Sequence, residues 1–335
     1  MIDYNSTINN SEIIVNGGAT EKPLWYWIIN TFISMVTVSG NGLVIYVLVT
    51  RRRLLTPVNW FVLSLSISDF LIGLFLPPMS AICEYGFKCN KRIFYLFYNS
   101  LMSLAVINIF TMTFDRYFGI VYPLKYHLYM TNTRIRILLA CSWVTPVILS
   151  CIPVTWSNAP PDVAATSKRI HTSIMLAIFE FFPPVLMLLM YIRILLTARR
   201  HARQTANQIA QLNYNQYSHN ASRNRTERSV RVIGAVVMLF VFCWLLDIYK
   251  SICWHYHVCS LSPNAVCVSI VLLYLNSAVN PLVYALLKND FKREIRNLFC
   301  CTQSSVANTT LEMTENKNDK NTLRDSVYHP ERTCT

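Results

Sequence analysis

Three ionisable sites interrupt apolar stretches of this 335-residue chain: Asp69, the pair Asp115-Arg116, and Asp247. A charged group at the centre of a hydrocarbon layer costs about 2.5–3.5 kcal/mol or more, so each of these needs a partner, water or a task. Asn41, Asn276 and Asn280 add buried-type amides that are costly to leave unpaired. The chemistry such groups support is electrostatic: holding a cation, exchanging hydrogen bonds, switching between two packings. The sequence carries no metal-ligand cluster, no nucleophile–base pair and no phosphate-cradling loop, so no catalytic residues are expected and the chain is read as a non-enzyme.

The elements that must position these groups follow from composition. Hydrophobic residues make up 53% and charged residues only 14%, too apolar for a soluble domain of this length. About 20 apolar residues cross the hydrocarbon core as a helix, because lipid leaves backbone groups unsatisfied in any open structure. Seven segments qualify, at roughly Pro23–Thr50, Pro57–Ile82, Ile93–Val121, Ile135–Pro153, His171–Leu196, Val230–Trp254 and Ala265–Leu287. The expected fold is therefore an all-α membrane protein, a seven-helix bundle without internal repeats.

The net charge of +13 would suit a nucleic-acid binder, but the basic residues flank the apolar runs and read as topology determinants. Arg51 to Arg53, Arg134, Arg136, Arg193, Arg199, Arg200, Arg203, Lys292, Arg293 and Arg296 share one side, which places it in the cytoplasm. A smaller set, Lys88, Lys91, Arg92, Lys168 and Arg169, lies on the other. Residues 1–23 then form an extracellular tail carrying N-glycosylation triplets at Asn5 and Asn9. They hold no apolar signal-peptide core, so the first span is expected to do the targeting. The seven-helix membrane domain is expected at 24–289, with a polar third cytoplasmic loop at about 197–228. Residues 290–301 place apolar and basic residues at helical spacing, as in a helix lying on the membrane, and end in the palmitoylation candidates Cys300 and Cys301. The Ser/Thr-bearing stretch 302–335 is expected to be disordered.

Seven motifs, in order, carry a resemblance. They are Gly40-Asn41-x-x-Val44; Leu65-Ser66-Ile67-Ser68-Asp69; Asp115-Arg116-Tyr117; Trp143; Pro183 with Tyr191; Phe240-x-x-Cys243-Trp244; and Asn276-Ser277-x-x-Asn280-Pro281-x-x-Tyr284. Across nearly the whole membrane region the pattern resembles the rhodopsin-like (class A) G-protein-coupled receptors. The resemblance implies a receptor in the plasma membrane that takes an extracellular ligand and activates a heterotrimeric G protein, with receptor kinases and arrestin acting on the tail. A non-signalling seven-helix partner of another receptor and a membrane transporter are the alternatives.

The resemblance also implies roles. Asp115, Arg116 and Tyr117 would form the coupling end, with Arg116 held at rest by Asp115. Tyr191, Asn280, Pro281 and Tyr284 would form the switch, and Phe240 and Trp244 would link it to the ligand. Asp69, Asn41, Asn276, Ser277 and Asn280 resemble a sodium pocket, although its usual serine is Ala105; a water-filled polar cluster is the alternative. The glutamate that in many relatives holds the arginine from the sixth helix is replaced by Thr226, next to Glu227, which implies a weak lock.

The ligand end departs from the family. The position where amine receptors carry a third-helix carboxylate is Tyr98, the fifth-helix serines are Met175, Leu176 and Phe179, and the opsin lysine is Tyr274. Ligand candidates are Tyr98, Asn99, Met102, Asp247 and Tyr274, with Asp247 either a counter-ion for a cationic ligand or an acid paired with Lys250. The usual bridge from the third helix is absent, since Lys91 stands at its cysteine position; Cys83–Cys89 and Cys253–Cys259 are the pairings expected instead. Cys141, Cys151 and Cys243 are expected to be packed thiols. No cofactor is implied beyond the structural sodium, and the ligand is a small molecule or a short peptide.

Overall fold

A computed structural model describes residues 22–85, 89–156, 158–212, 238–256, 258–287, 291 and 293–296. Each of the seven expected spans holds a helix long and apolar enough to cross a membrane, with 230–237 of the sixth outside the described residues. We label them α1 (Leu24–Thr50), α2 (Pro57–Glu84), α3 (Lys91–Val121), α4 (Asn132–Cys151), α5, α6 (Met238–Tyr256) and α7 (Pro263–Leu287). α5 has three parts: Pro161–Met175, a π-helical turn at Leu176–Phe181, and Phe182–Leu212.

Local sequence sets the ends. Asn90 caps α3, its Oδ1 accepting from the Arg92 and Ile93 amides at 3.1 and 3.3 Å, and the Thr131 hydroxyl accepts from the Arg134 amide at the start of α4. α2 and α5 open with proline, whose missing donor is free of cost in a first turn. α5 reaches further than its apolar run. At one end Asp162 complements the dipole of a polar first turn. At the other, Thr197–Leu212 is rich in Ala, Arg and Gln, strong helix formers, so the first part of the expected third loop is helical.

Proline pairs shape two helices. Pro77 cannot donate to the Gly73 carbonyl, and the Ser34 hydroxyl of α1 donates to it instead at 2.6 Å. That bond needs close approach: a Cβ on Gly73 would lie 2.9 Å from Thr37 Cβ and Cγ2. In α5, Pro183 and Pro184 remove the donors that would close the turns below Phe179 and Glu180. The Phe182 amide bonds the Ala177 carbonyl, five residues back, and the turn widens to π.

α1 packs on α2, α2 on α3, and α3 on both α4 and α5, which makes α3 the central element. A hydrogen-bonded chain ties three of them: Ser64 Oγ donates to Asn108 Oδ1 at 2.6 Å and accepts from Trp143 Nε1 at 2.8 Å. Apolar side chains such as Ile28, Phe32, Met35, Ile148, Leu189 and Leu245 are exposed, whereas Asn41, Asp69, Asn108 and Asp247 are buried. This inverted distribution is what a lipid-facing surface requires. Cys141 and Cys151 lie on that exposed surface; of the thiols expected to be packed, Cys243 is buried.

The chain divides near the end of α7 into a first unit reaching Val283 and a second beginning at Tyr284. In the second unit residues 284–287 complete α7, and residues 291 and 293–296 are helical, with Phe291 and Glu294 buried. Asn5, Asn9, Thr226, Glu227, Cys300, Cys301, the tail 302–335 and the side chain of Tyr284 lie outside the described residues.

Candidate functional site

Three polar levels run along the bundle. At the end of α3, Asp115 is only 1% exposed. Its Oδ1 accepts from the hydroxyl of Tyr126, which sits on the short loop helix Tyr126–Tyr129, at 2.7 Å. Burial first, then the bond to Asp115 and its charge, push the Tyr126 phenol well above the usual tyrosine range, while Arg116 pulls the other way. Arg116 and Tyr117 are half-buried, and the Tyr117 ring stands edge-on to Tyr122 at 6.0 Å. The loop tyrosine therefore joins the acid at this end of α3. A cleft of about 480 Å³ opens alongside, lined by Pro57, Tyr126, His127, Met130, Thr131 and Asn132. Tyr191 of α5 is buried.

At mid-depth, Asn280 Nδ2 donates to Asp69 Oδ2 at 2.7 Å, and Ser277 lies beside the same carboxylate. Asn41 Nδ2 donates to the carbonyls of Thr37 at 3.0 Å and Ser277 at 3.2 Å. Two buried oxygens there have no described partner, Asp69 Oδ1 and Asn41 Oδ1, and Ser66 Oγ, three residues before Asp69 on α2, has none either. A carboxylate oxygen and an amide oxygen left open around Ser277 fit a small hard cation. Asn276 is buried on the same helix. A Cβ on Gly40 would meet Pro281 Cγ at 3.0 Å, so α1 is in close contact with the α7 proline.

Above this, Trp244 stacks at a tilt on Phe240 with centroids 5.6 Å apart. One turn further along α6, Asp247 is 5% exposed and ion-paired with Lys250. Tyr98 of α3 stands within electrostatic reach of Asp247, Tyr274 and Glu180, and Glu180 faces Asp247, Lys250 and Ser251. Met102 and Tyr274 are buried; Asn99 is exposed. Nearer the helix ends, the Ser173 hydroxyl meets His255 Nε2 and the Tyr256 hydroxyl, both at 3.2 Å, pinning α5 to α6. His171 Nε2 bonds the Leu149 carbonyl at 2.8 Å, pinning α5 to α4. Lys22 bridges to Glu84 at 3.2 Å and lies over the Tyr26 and Trp27 rings. Both expected disulfides are present, Cys83–Cys89 and Cys253–Cys259, with Cα separations of 5.1 and 4.8 Å.

The family model described as 7 transmembrane receptor (rhodopsin family) matches residues 40–284, a stretch that holds all three polar levels. The chain belongs to that receptor family. Its curated relatives include the Histamine H2 receptor of Homo sapiens, 30% identical over 293 residues that cover 80% of this chain and 77% of the relative. The Octopamine receptor beta-2R of Chilo suppressalis is 25% identical over 312 residues, covering 80% and 78%. The Adenosine receptor A2a of Canis lupus familiaris is 26% identical over 303 residues, covering 82% and 72%. Family members are receptors, not enzymes, and this receptor is a multi-pass membrane protein of the same kind.

One site residue is absent from the sequence-based candidates. Glu180 is an ionisable residue within the apolar run Ile174–Met190, the same signal that singles out Asp69 and Asp247. The family positions compared on α5 end one residue short of it, at Phe179. The π turn then decides where Glu180 points, since an added residue in one turn rotates the downstream side chains by about 100° relative to a regular helix.

Proposed function

We propose that this receptor sits in the plasma membrane with its N-terminus outside, binds a small organic amine in the outer half of the bundle, and activates a heterotrimeric G protein. The observation that carries the signalling reading is a family match that runs from Gly40 through Arg116 to Tyr284. The ligand reading rests on the buried acids of the outer half, Asp247 within electrostatic reach of Tyr98 and Glu180 facing it, together with relatives named for histamine and octopamine. Arg116 would be released to an inserted G-protein helix when the bundle end opens; the Tyr126–Asp115 bond would hold that end at rest. Repacking of Trp244 on Phe240 would carry ligand occupancy to Tyr191, Asn280, Pro281 and Tyr284.

A sodium ion would be held by Asp69 with Asn41, Ser277, Asn280 and Asn276, and would supply the positive charge that lets a buried carboxylate stay ionised. Glycans at Asn5 and Asn9, acyl chains at Cys300 and Cys301, and kinase and arrestin contacts on residues 302–335 complete the reading.

The test is a ligand panel in cells reporting cAMP and calcium. At least one amine is expected to move a reporter in cells expressing the wild type, and Arg116→Ala is expected to remove that response at equal surface expression. A response that survives Arg116→Ala unchanged would contradict the assigned mechanism.

A further inference from the structure

Counting charge in the outer chamber leaves an imbalance. Among the described residues two carboxylates, Glu180 and Asp247, face one ammonium, Lys250. Lys250 is committed to Asp247, three residues away on the same helix. The Glu180 carboxylate takes a hydrogen bond from Ser251, but its Oε2 has no solvent contact and no described partner. A second polar atom one turn deeper, Trp244 Nε1, is in the same position, on a side chain only 5% exposed. Burying an ionised carboxylate oxygen without a bond is unfavourable, and neighbouring Asp247 adds repulsion. The π turn gives Glu180 its inward aim, and the Pro183-Pro184 pair that forces the turn fixes it there.

We propose that Glu180 is the counter-ion for the ligand's cationic group, taking the place of the third-helix carboxylate that Tyr98 replaces. This rests on the reading of the outer chamber as the ligand site. The Asp247–Lys250 pair stays closed and contributes position rather than a contact to the cation. Tyr98, with Tyr274 and Glu180 in its surroundings, suits an aromatic body, so the ligand class is a monocationic amine with such a body. The same charge count disfavours phosphate-bearing and other anionic ligands, which would meet two carboxylates at once.

Thermal unfolding of the purified full-length receptor tests this with and without millimolar histamine, octopamine or, as the uncharged control, adenosine. In the ligand-free protein Glu180→Gln is expected to raise Tm by a few degrees, because it removes a second buried carboxylate facing Asp247, one oxygen of which has no described partner; a residue serving the fold would lower it. At least one amine is expected to stabilise the wild type, and that shift is expected to fall at least tenfold in amine sensitivity in Glu180→Gln and to recover in part in Glu180→Asp. Asp247→Asn separates the two acids, since it is expected to lower ligand-free Tm by stranding Lys250. The proposal is overturned if Glu180→Gln lowers ligand-free Tm, if the amines stabilise Glu180→Gln as they do the wild type, or if no amine stabilises the wild type. Equal amine binding by wild type and Glu180→Gln would remove Glu180 while leaving the amine reading in place. Glu180-dependent amine binding without any cellular response would do the reverse, keeping Glu180 and contradicting the signalling reading.

Discussion

At the residue scale the informative groups are those whose burial and bonding disagree with their polarity. Asp115 is buried yet accepts a bond from Tyr126, on a loop eleven residues further along the chain, so on the proposed reading the loop tyrosine would be part of the resting restraint. Tyr126→Phe is expected to raise ligand-independent signalling relative to wild type, read as basal cAMP or calcium at matched expression. The pH behaviour follows from the raised phenol. A group held protonated in the folded state contributes stability that is fully present below its unfolded value, about 10 for tyrosine, and is lost only as pH rises through the folded value. The Tm difference between wild type and Tyr126→Phe should therefore stay constant from about pH 6 to 9; a difference that fades within that window would contradict the assignment. At Asp69, Asp69→Asn is expected to abolish any Tm gain in NaCl over KCl. Asp247 and Lys250 were legible in the sequence because three residues on a helix share a face. Tyr126 was not, because its partner depends on how a loop folds back against α3.

Helix by helix, the apolar runs located all seven spans, since length and hydropathy are what a membrane demands. Their ends were less legible. α5 begins at Pro161 and reaches Leu212 because capping and intrinsic propensity extend a helix beyond its apolar segment, and hydropathy does not register either. The π turn was equally hidden, although the proline pair that forces it stands in the chain. The two small disulfides were legible because six residues separate each pair and both lie at span ends. Replacing both cysteines of one pair with serine is expected to cost about 2 kcal/mol, the chain-entropy value for so short a loop, measured as a lower denaturation midpoint. The α1–α2 contact makes a sharper demand: with 2.9 Å between a Cβ on Gly73 and Thr37, Gly73→Leu must separate the helices that the Ser34–Gly73 bond joins. Loss of surface expression is the expected outcome, and wild-type expression with unchanged Tm would show that the contact is loose.

For the whole molecule, membership in the receptor family unites features that separately mean little: an inverted polarity, a polar column from Arg116 through Asp69 to Asp247, and clamps between helices at the disulfide-bearing end. The half of the column around Arg116 and Asp69 follows the family motifs closely, and the half around Asp247 does not, which is why the sequence exposed the signalling class better than the ligand. Basic residues gather at the Arg116 end, so an epitope tag at the N-terminus should be reached by antibody on intact cells and a tag after Thr335 only once cells are permeabilised.

Guanine-nucleotide exchange on purified heterotrimeric G proteins, with the full-length receptor in lipid vesicles and amines added, tests the central claim most directly. The expected result is exchange that an amine accelerates with wild type and does not accelerate with Arg116→Ala. Exchange that no amine alters in any G-protein class, or that Arg116→Ala leaves intact, would contradict it.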